Sequence, residues 1–329
     1  MTLRTTAALA AAAVLTLAAC GQPAAEEATR EAPAELTVVS HESFVMPDDL
    51  KERFAEESGL DVTYTTLADT GSMVNQLILT KDSPLGDVVF GIDNTFASRA
   101  TDEGIVAEQG LTEIDFGDVC VNADLAWFDE QGLPLPETLD DLADPRYRDL
   151  FVTPSPASSS PGLAFLFATV GAKGDGWLDY WRALEDNGAL VVSGWTEAYN
   201  VEFTAGEGQG DRPLVLSYST SPAWTIGDDG ESTTTALLDT CFRQTEYAGV
   251  LEGAANPEGA QQFIDFLLTP EFQASIPENM YMYPADTSVE LPDEWVRFAP
   301  LSDAPIELSS EEIDANRERW IQEWTEAIG

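Results

Sequence analysis

Between Leu36 and Gly91, short apolar runs alternate with segments of helical spacing, and that order restricts the fold more than any other feature of the chain. Leu36–Ser40 (LTVVS) predicts a first strand. Asp48–Ser58 puts Leu50, Phe54 and Ala55 on one helical side and stops at Gly59, where a left-handed C-cap belongs. Asp61–Leu67 alternates as a strand does. Ser72–Leu79 predicts a helix with Met73, Leu77 and Ile78 inward, and Asp87–Gly91 (DVVFG) a third strand. Strand, helix, strand, helix, strand in this order requires a parallel sheet built by right-handed crossovers.

The pattern then changes. Val119–Phe128 predicts a strand leading away from that sheet, and Pro134–Asp144 a loop into a short helix. Three strand ends follow with a common grammar. Leu150–Pro154 runs into Ser158-Ser159-Ser160-Pro161-Gly162 and the apolar helix Leu163–Val170, with Ser160 as cap and Pro161 at the first helical position. Leu190–Ser193 runs into Gly194-Trp195-Thr196-Glu197-Ala198-Tyr199. Pro213–Tyr218 runs into Ser219-Thr220-Ser221, with Ser221 placed as an N-cap, Pro222 at the first helical position and Trp224 beyond. Strand carboxyl ends lie on one side of an open parallel sheet, so the three turns should converge on one cleft. Each helix N-terminus there would attract an anionic or polar group by ~0.3–1 kcal/mol.

Trp195, Tyr199, Tyr218, Trp224 and Tyr281 could supply ring faces, and a cation over Trp or Tyr gains ~0.5–2 kcal/mol. Any one of these rings could equally be core; their common position beside strand ends marks them as a set. Trp177, Tyr180, Trp181 and Leu184, at helical spacing in Gly176–Asn187, are assigned to core. Asp93 and Asn94, after the third strand, would offer polar groups from the opposite wall.

Phe242–Val250 predicts a strand returning to the first sheet. Helices follow at Pro257–Leu268, Pro270–Ile276 and Ser310–Ile328, the last opened by Ser309 or Ser310 with Glu311 and Glu312. The expected fold is α/β and two-lobed, each lobe a mixed, mostly parallel sheet flanked by helices, with a ligand cleft between. Lobe 1 would hold residues 36–120 and 242–290, and lobe 2 residues 121–241 and 291–329, the last carrying the C-terminal helix.

The start of the chain carries Arg4, an apolar run Ala7–Ala19, and Leu17-Ala18-Ala19-Cys20. That is the layout of an export signal over residues 1–19, and the run falls short of the ~20 residues a membrane span needs. Cys20 after Leu-Ala-Ala resembles the bacterial lipoprotein signal, which would lipidate Cys20 and anchor the protein to the outer face of the cell membrane; a plain secretory signal is the alternative. Residues 20–35 would be a flexible tether. In an exported chain Cys120 and Cys241 are candidates for one disulfide, or else two separate buried thiols. Placed at the two lobe crossings, near Val119 and Thr240, a bridge would tie the hinge strands together.

Charge and residue usage exclude several functions. Fifty-nine acidic residues against fifteen basic ones give a net charge of −44, which argues against nucleic-acid binding and suits a surface adapted to salt. Part of that field could draw in a cation. The single histidine, His41, removes histidine-cluster metal sites and most histidine-based catalysis. The chain holds no Gly-x-Ser-x-Gly elbow and no Gly-x-x-x-x-Gly-Lys loop. No cofactor and no metal are expected.

At this point the residues resemble a family. Gly91-Ile92-Asp93-Asn94, Ser159–Leu163, Gly194–Tyr199, Leu214–Trp224, Ile276–Pro284 and Arg319–Trp324 are similar to the thiamine-binding proteins of bacterial ABC importers. The resemblance implies a periplasmic-binding-protein fold, thiamine or its phosphates as ligand, and an ABC permease with its ATPase as partners of a monomer. It implies that Trp224 and Tyr281 flank the thiazolium. It places Ser159, Ser160, Trp195, Tyr218, Ser219 and Thr220 at the hydroxyl or phosphate end, and Asp93 and Asn94 at the first-lobe edge. His41 stands where the family often has Tyr, Tyr281 and Trp224 stand where relatives carry Trp and Tyr, and Val45–Leu50 holds no Trp. Two rival readings are a binding protein for a polyamine, a phosphonate or ferric ion, and a thiamine-degrading enzyme, which would need a cleft cysteine.

Overall fold

The computed structural model describes residues 34–207 and 210–329, so the export signal, Cys20 and most of the tether lie outside the described residues. The tether was expected to run to residue 35, but Glu35 already pairs with Asp61. The first three strands form as the alternation predicts: β1 (Glu35–Ser40), β2 (Asp61–Thr66) and β3 (Val88–Asp93), with β1 paired in parallel to both others. Every residue of β3 is buried, as suits a strand covered on both faces. The helix Asp48–Ser58 buries Leu50 and Phe54 and ends where Gly59 adopts φ 70°.

β4 (Val106–Asp124) is 19 residues long and carries the chain into the second half of the molecule. There β5 (Phe151–Pro154) pairs in parallel with β6 (Leu190–Val192) and β7 (Leu214–Tyr218). β8 (Thr234–Leu251), 18 residues long, brings the chain back antiparallel to β4, and β9 (Tyr283–Pro284) pairs with β4 near its middle. The strands lie in the order β2-β1-β3-β8-β4-β7-β5-β6. Each half has parallel outer strands, as expected; beyond expectation, β4 and β8 join the two halves into one hydrogen-bonded sheet.

Two large apolar clusters cover the sheet. In the first half Phe54 sits 5.2 Å from both Phe263 and Phe266, ring centre to ring centre. In the second half Trp181 meets Phe165 and Trp324 edge-on, each at 5.4 Å, and Trp320 meets Phe167 at 5.7 Å. Such pairs add about 0.5–1.5 kcal/mol each beyond their burial, and they dock the C-terminal helix Ser310–Ala327 on the second half. That helix starts with a capping box between Ser309 and Glu312.

Three local expectations need correction. Ser159, not Ser160, is the N-cap of the helix Ser160–Lys173; its backbone is extended and its hydroxyl accepts the Gly162 amide. After β7 no α-helix begins. Ser221–Ala223 forms a single 3₁₀ turn, because the Ser221 hydroxyl turns back to the Ser217 hydroxyl (2.8 Å) and the Tyr218 amide (3.3 Å) instead of capping forward. The Gly194–Tyr199 segment enters a short, wide π-type turn, Glu197–Glu202. One α-helix dipole therefore points at the strand ends, not three.

The two crossings are fastened together. Cys120 of β4 and Cys241 of β8, 121 positions apart, form a disulfide. Beside it Arg243 donates to both carboxylate oxygens of Asp118, the longer bond being 3.1 Å, and the Ser302 amide donates to Asp118 Oδ2 at 2.7 Å. The Val121 amide donates to Thr240 Oγ1 at 2.9 Å. Closing so long a loop limits the unfolded chain by ~4–5 kcal/mol in the chain-entropy account. Replacing Cys120 and Cys241 together by Ala is expected to lower stability in urea by about 3–5 kcal/mol, and an unchanged urea midpoint would remove the bridge from any stabilising role.

Candidate functional site

A cavity of ≈ 230 Å³ opens between the two halves of the sheet. Its first wall is His41, just past β1, with Asp69 after β2 and Glu246 on β8. The second is Ser160, Trp195, Tyr199, Tyr218, Thr220 and Trp224, and Met280, Tyr281 and Met282 close one end. His41 reaches the site because β3 bulges at Gly91, whose φ is 94°; a Cβ there would overlap the imidazole ring.

Asp69 ties the walls together. It occupies the N-cap position of the helix Thr70–Leu79 but does not cap it. Its Oδ1 accepts the Ser160 amide at 3.1 Å and its Oδ2 the Trp195 amide at 3.1 Å. One carboxylate thus satisfies the first free amide of the Ser160–Lys173 helix and the amide of the Gly194-Trp195 turn, both from the far half. Burial pushes its carboxyl up from the ordinary value, and those two amides hold it back. Alongside, the Ser72 amide donates to the Ser158 carbonyl at 3.2 Å and Thr196 Oγ1 to Glu42 at 2.7 Å. Gly71 permits the approach: a Cβ would lie 2.8 Å from the Ser158 carbonyl.

Four of the expected site residues stand behind the walls. Asp93 is fully buried. It accepts from the Thr95 amide (2.7 Å) and hydroxyl (2.5 Å), from the Ser160 hydroxyl and from Gln244 Nε2, so it supports Ser160 and does not face the cavity. Burial raises its pKa to about 7, with the Glu246 charge adding and the Thr95 and Gln244 hydrogen bonds subtracting. Asn94 is spent on β8, donating to the Arg243 carbonyl and accepting from the Thr245 amide. Ser159 caps its helix, and Ser219 is buried with its amide on the Asp118 carbonyl. The other eight — His41, Ser160, Trp195, Tyr199, Tyr218, Thr220, Trp224 and Tyr281 — all line the cavity.

The rings are held in two pairs. Trp195 stacks on Tyr199 with centres 5.1 Å apart and planes 12° apart, and its Nε1 donates to Ser217 Oγ at 2.9 Å. Trp224 stands edge-on to Tyr281 at 4.4 Å and is 56% exposed at the mouth. Tyr281 takes φ 56°, and Thr220 Oγ1 fixes its carbonyl at 2.6 Å. The Tyr218 hydroxyl donates to Gln244 Oε1 at 2.9 Å.

Three carboxylates that line the cavity, Asp69, Glu207 and Glu246, escaped the sequence reading. Asp69 carried the signal of an ordinary N-cap. Glu246 carried a clearer one: Phe242, Gln244, Glu246 and Ala248 share the buried face of β8, and a glutamate on an inward face is unusual. His41 Nδ1 accepts the Ser43 amide at 3.1 Å, so its proton sits on Nε2, 3.2 Å from Glu246 Oε1. Burial works against a charged imidazole, but the Glu246, Asp69 and Asp93 charges outweigh it and raise its pKa. The site can hold a flat cationic group between rings and carboxylates, with hydroxyls beyond.

A two-walled cleft on an α/β sheet joined by two long crossing strands is the construction of a solute receptor. Residues 92–303 match the family described as bacterial extracellular solute-binding protein, and the chain belongs to that family. It is 30% identical to the thiamine-binding periplasmic protein of Brucella melitensis, over 90% of this chain and 93% of that one. It is 28% identical to the Escherichia coli protein of the same description, over 89% and 93%. Among solved structures, one described as a periplasmic thiamin binding protein superposes with TM-score 0.80 at 27% identity, covering 90% of this chain and 97% of that one.

If Asp69 latches the walls, Asp69→Ala will speed hydrogen exchange at the Ser160 and Trp195 amides by at least tenfold while amides of β3 keep their protection. Unchanged exchange at both would show that the carboxylate closes nothing.

Proposed function

We propose that this protein captures thiamine, or a phosphate of it, in the cleft and delivers it to an ABC permease and its ATPase. The observation that carries the reading is the juxtaposition of the Trp224–Tyr281 edge with the carboxylates Asp69 and Glu246 across one small cavity. Thiamine has a permanently cationic thiazolium, a flat aminopyrimidine and a hydroxyethyl or phosphate tail. Ring faces and carboxylates suit the first two; Ser160 at a helix N-terminus, with Thr220 and Ser221, suits the tail. The names of the relatives described above point the same way.

In this reading the ligand bridges the two lobes, with boundaries at the Cys120 and Cys241 crossings, and it stabilises the closed arrangement by its differential affinity for it. The protein is exported and held at the membrane by lipid on Cys20, and it acts as a monomer. The enzymatic rival asked for a thiol in the cleft; Cys120 and Cys241 are bonded to each other in the central strands.

Calorimetry with thiamine, its mono- and diphosphate, and spermidine tests the proposal. Binding of at least one thiamine form, and a weaker response to spermidine, is expected; no heat and no thermal shift with any thiamine form would overturn it. Trp224→Ala should weaken thiamine binding by roughly 1–2 kcal/mol, about five- to thirtyfold, with the melting temperature nearly unchanged because the ring is largely exposed.

A further inference from the structure

Asp93, Glu246 and Asp115 occupy three neighbouring strands and lie directly across from one another, Asp93 of β3 opposite Glu246 of β8 and Glu246 opposite Asp115 of β4. Like charges in cross-strand register repel, and here they are also stripped of water: Asp93 and Asp115 are 0% exposed and Glu246 5%. Asp93 has its donors. Asp115 has none, for no N–H or O–H of the described residues reaches either of its oxygens. The group within hydrogen-bonding reach of it is the Glu246 carboxyl. Two carboxylates cannot bond to each other; a carboxylate and a carboxylic acid can.

Apart from His41, whose own pKa these charges raise, no basic side chain among the described residues bears on the pair to take the proton's place. Asp115 faces Glu246 and, along its own strand, Glu113, and burial with these charges pushes its carboxyl well above the ordinary range. Glu246 faces Asp93 from β3, Asp115 from β4, and from the end of β1 His41, whose Nε2 is buried without the alignment of a hydrogen bond. Asp69 bears on the same His41 from the turn after β2, and the Tyr218 hydroxyl of β7 is turned to Gln244. Glu246 lines the cavity; Asp115 does not.

We propose that Asp115 and Glu246 share one proton while the cleft is empty, and that a cationic ligand releases it. The O–H bond of the shared carboxylic acid breaks, the proton passes to a buffer base in solution, and the ligand's fixed positive charge takes its place beside Glu246. Glu246 is then the residue that sorts ligands by charge, and Asp115 positions its proton without touching the ligand. This rests on the reading that the cleft takes a cation. By linkage, affinity for such a ligand rises with pH by up to tenfold per unit while the pair is protonated in the empty protein.

Two measurements test it. Infrared difference spectra of the ligand-free protein between acid and alkaline pH should show, besides the band of Asp93, a second protonated carboxyl component that is lost in both Asp115→Asn and Glu246→Gln. Its persistence in both variants overturns the shared proton, whether or not any ligand binds. Calorimetry with thiamine in two buffers of different ionisation enthalpy should count close to one proton released by the wild type and none by either variant. Thiochrome, the uncharged fused-ring oxidation product, should release none. Thiamine binding with equal heat in both buffers overturns the coupling, whereas no thiamine binding at all refutes the proposed ligand and leaves the infrared result to decide the proton. A folded state that holds a proton the unfolded chain lacks loses stability as pH rises, so the empty wild type should lose melting temperature with rising pH more steeply than Asp115→Asn. Equal slopes count against the shared proton.

Discussion

Everything in this molecule hangs on the pairing of β4 with β8. These strands run side by side from Val106–Leu251 at one end to Asp124–Thr234 at the other, passing through both halves of the sheet. The first half is completed by β3 against β8, and the second by β7 against β4. A break in the central ladder would leave each half with an unpaired edge and the cleft without a floor. The strongest local fastenings, the Cys120–Cys241 bridge and the Asp118–Arg243 ion pair, sit side by side on this ladder. An ion pair with one fully buried partner adds little net stability. What it adds is register, which the hydroxyl and amide bonds from Thr240 and Ser302 reinforce.

From that frame the cleft is assembled out of ends. Strand ends and turns contribute Asp69, Ser160, Trp195 and Tyr218, and loops contribute Trp224 and Tyr281. Rigid strands contribute the carboxylates behind and beside them, Asp93 and Glu246. Most side chains that line the cavity sit on turns and loops, whereas the buried carboxylates Asp93 and Glu246 sit in paired strands. Asp69 is the exception, a loop carboxylate that spends both oxygens on amides of the opposite wall. Those two bonds join the walls without any ligand between them.

Much of this was legible in the residues. The alternation over Leu36–Gly91 specified the parallel strands, because strands buried on both faces write themselves as apolar runs. The three strand-end turns were found by hydroxyl and glycine content, and their convergence followed from sheet geometry. What failed failed locally. Ser221 has the composition of a cap, but its hydroxyl has a nearer partner in Ser217, and one residue of register separates Ser159 from Ser160. Asp93 was recognised as a polar group at a strand end, yet the Thr95, Ser160 and Gln244 donors that absorb it come from three separate stretches of chain. No local pattern encodes such a meeting. Glu246 was legible in principle, as an acid on the inward face of an alternating strand, and Asp115 across from it only once the strands were paired.

The long central pairing also fixes an order of events. β4 leaves the ribosome well over a hundred residues before its partner β8, and nothing in between can substitute for it along most of its length. Contacts so distant in sequence form slowly, since the loop between them must be closed before they are rewarded. A chain exported from its N-terminus would therefore wait outside the membrane with a long strand edge uncovered until its last hundred residues arrived. Its many acidic side chains would keep such waiting chains apart, and joining Cys120 to Cys241 would then lock in a pairing the chain had been slow to find.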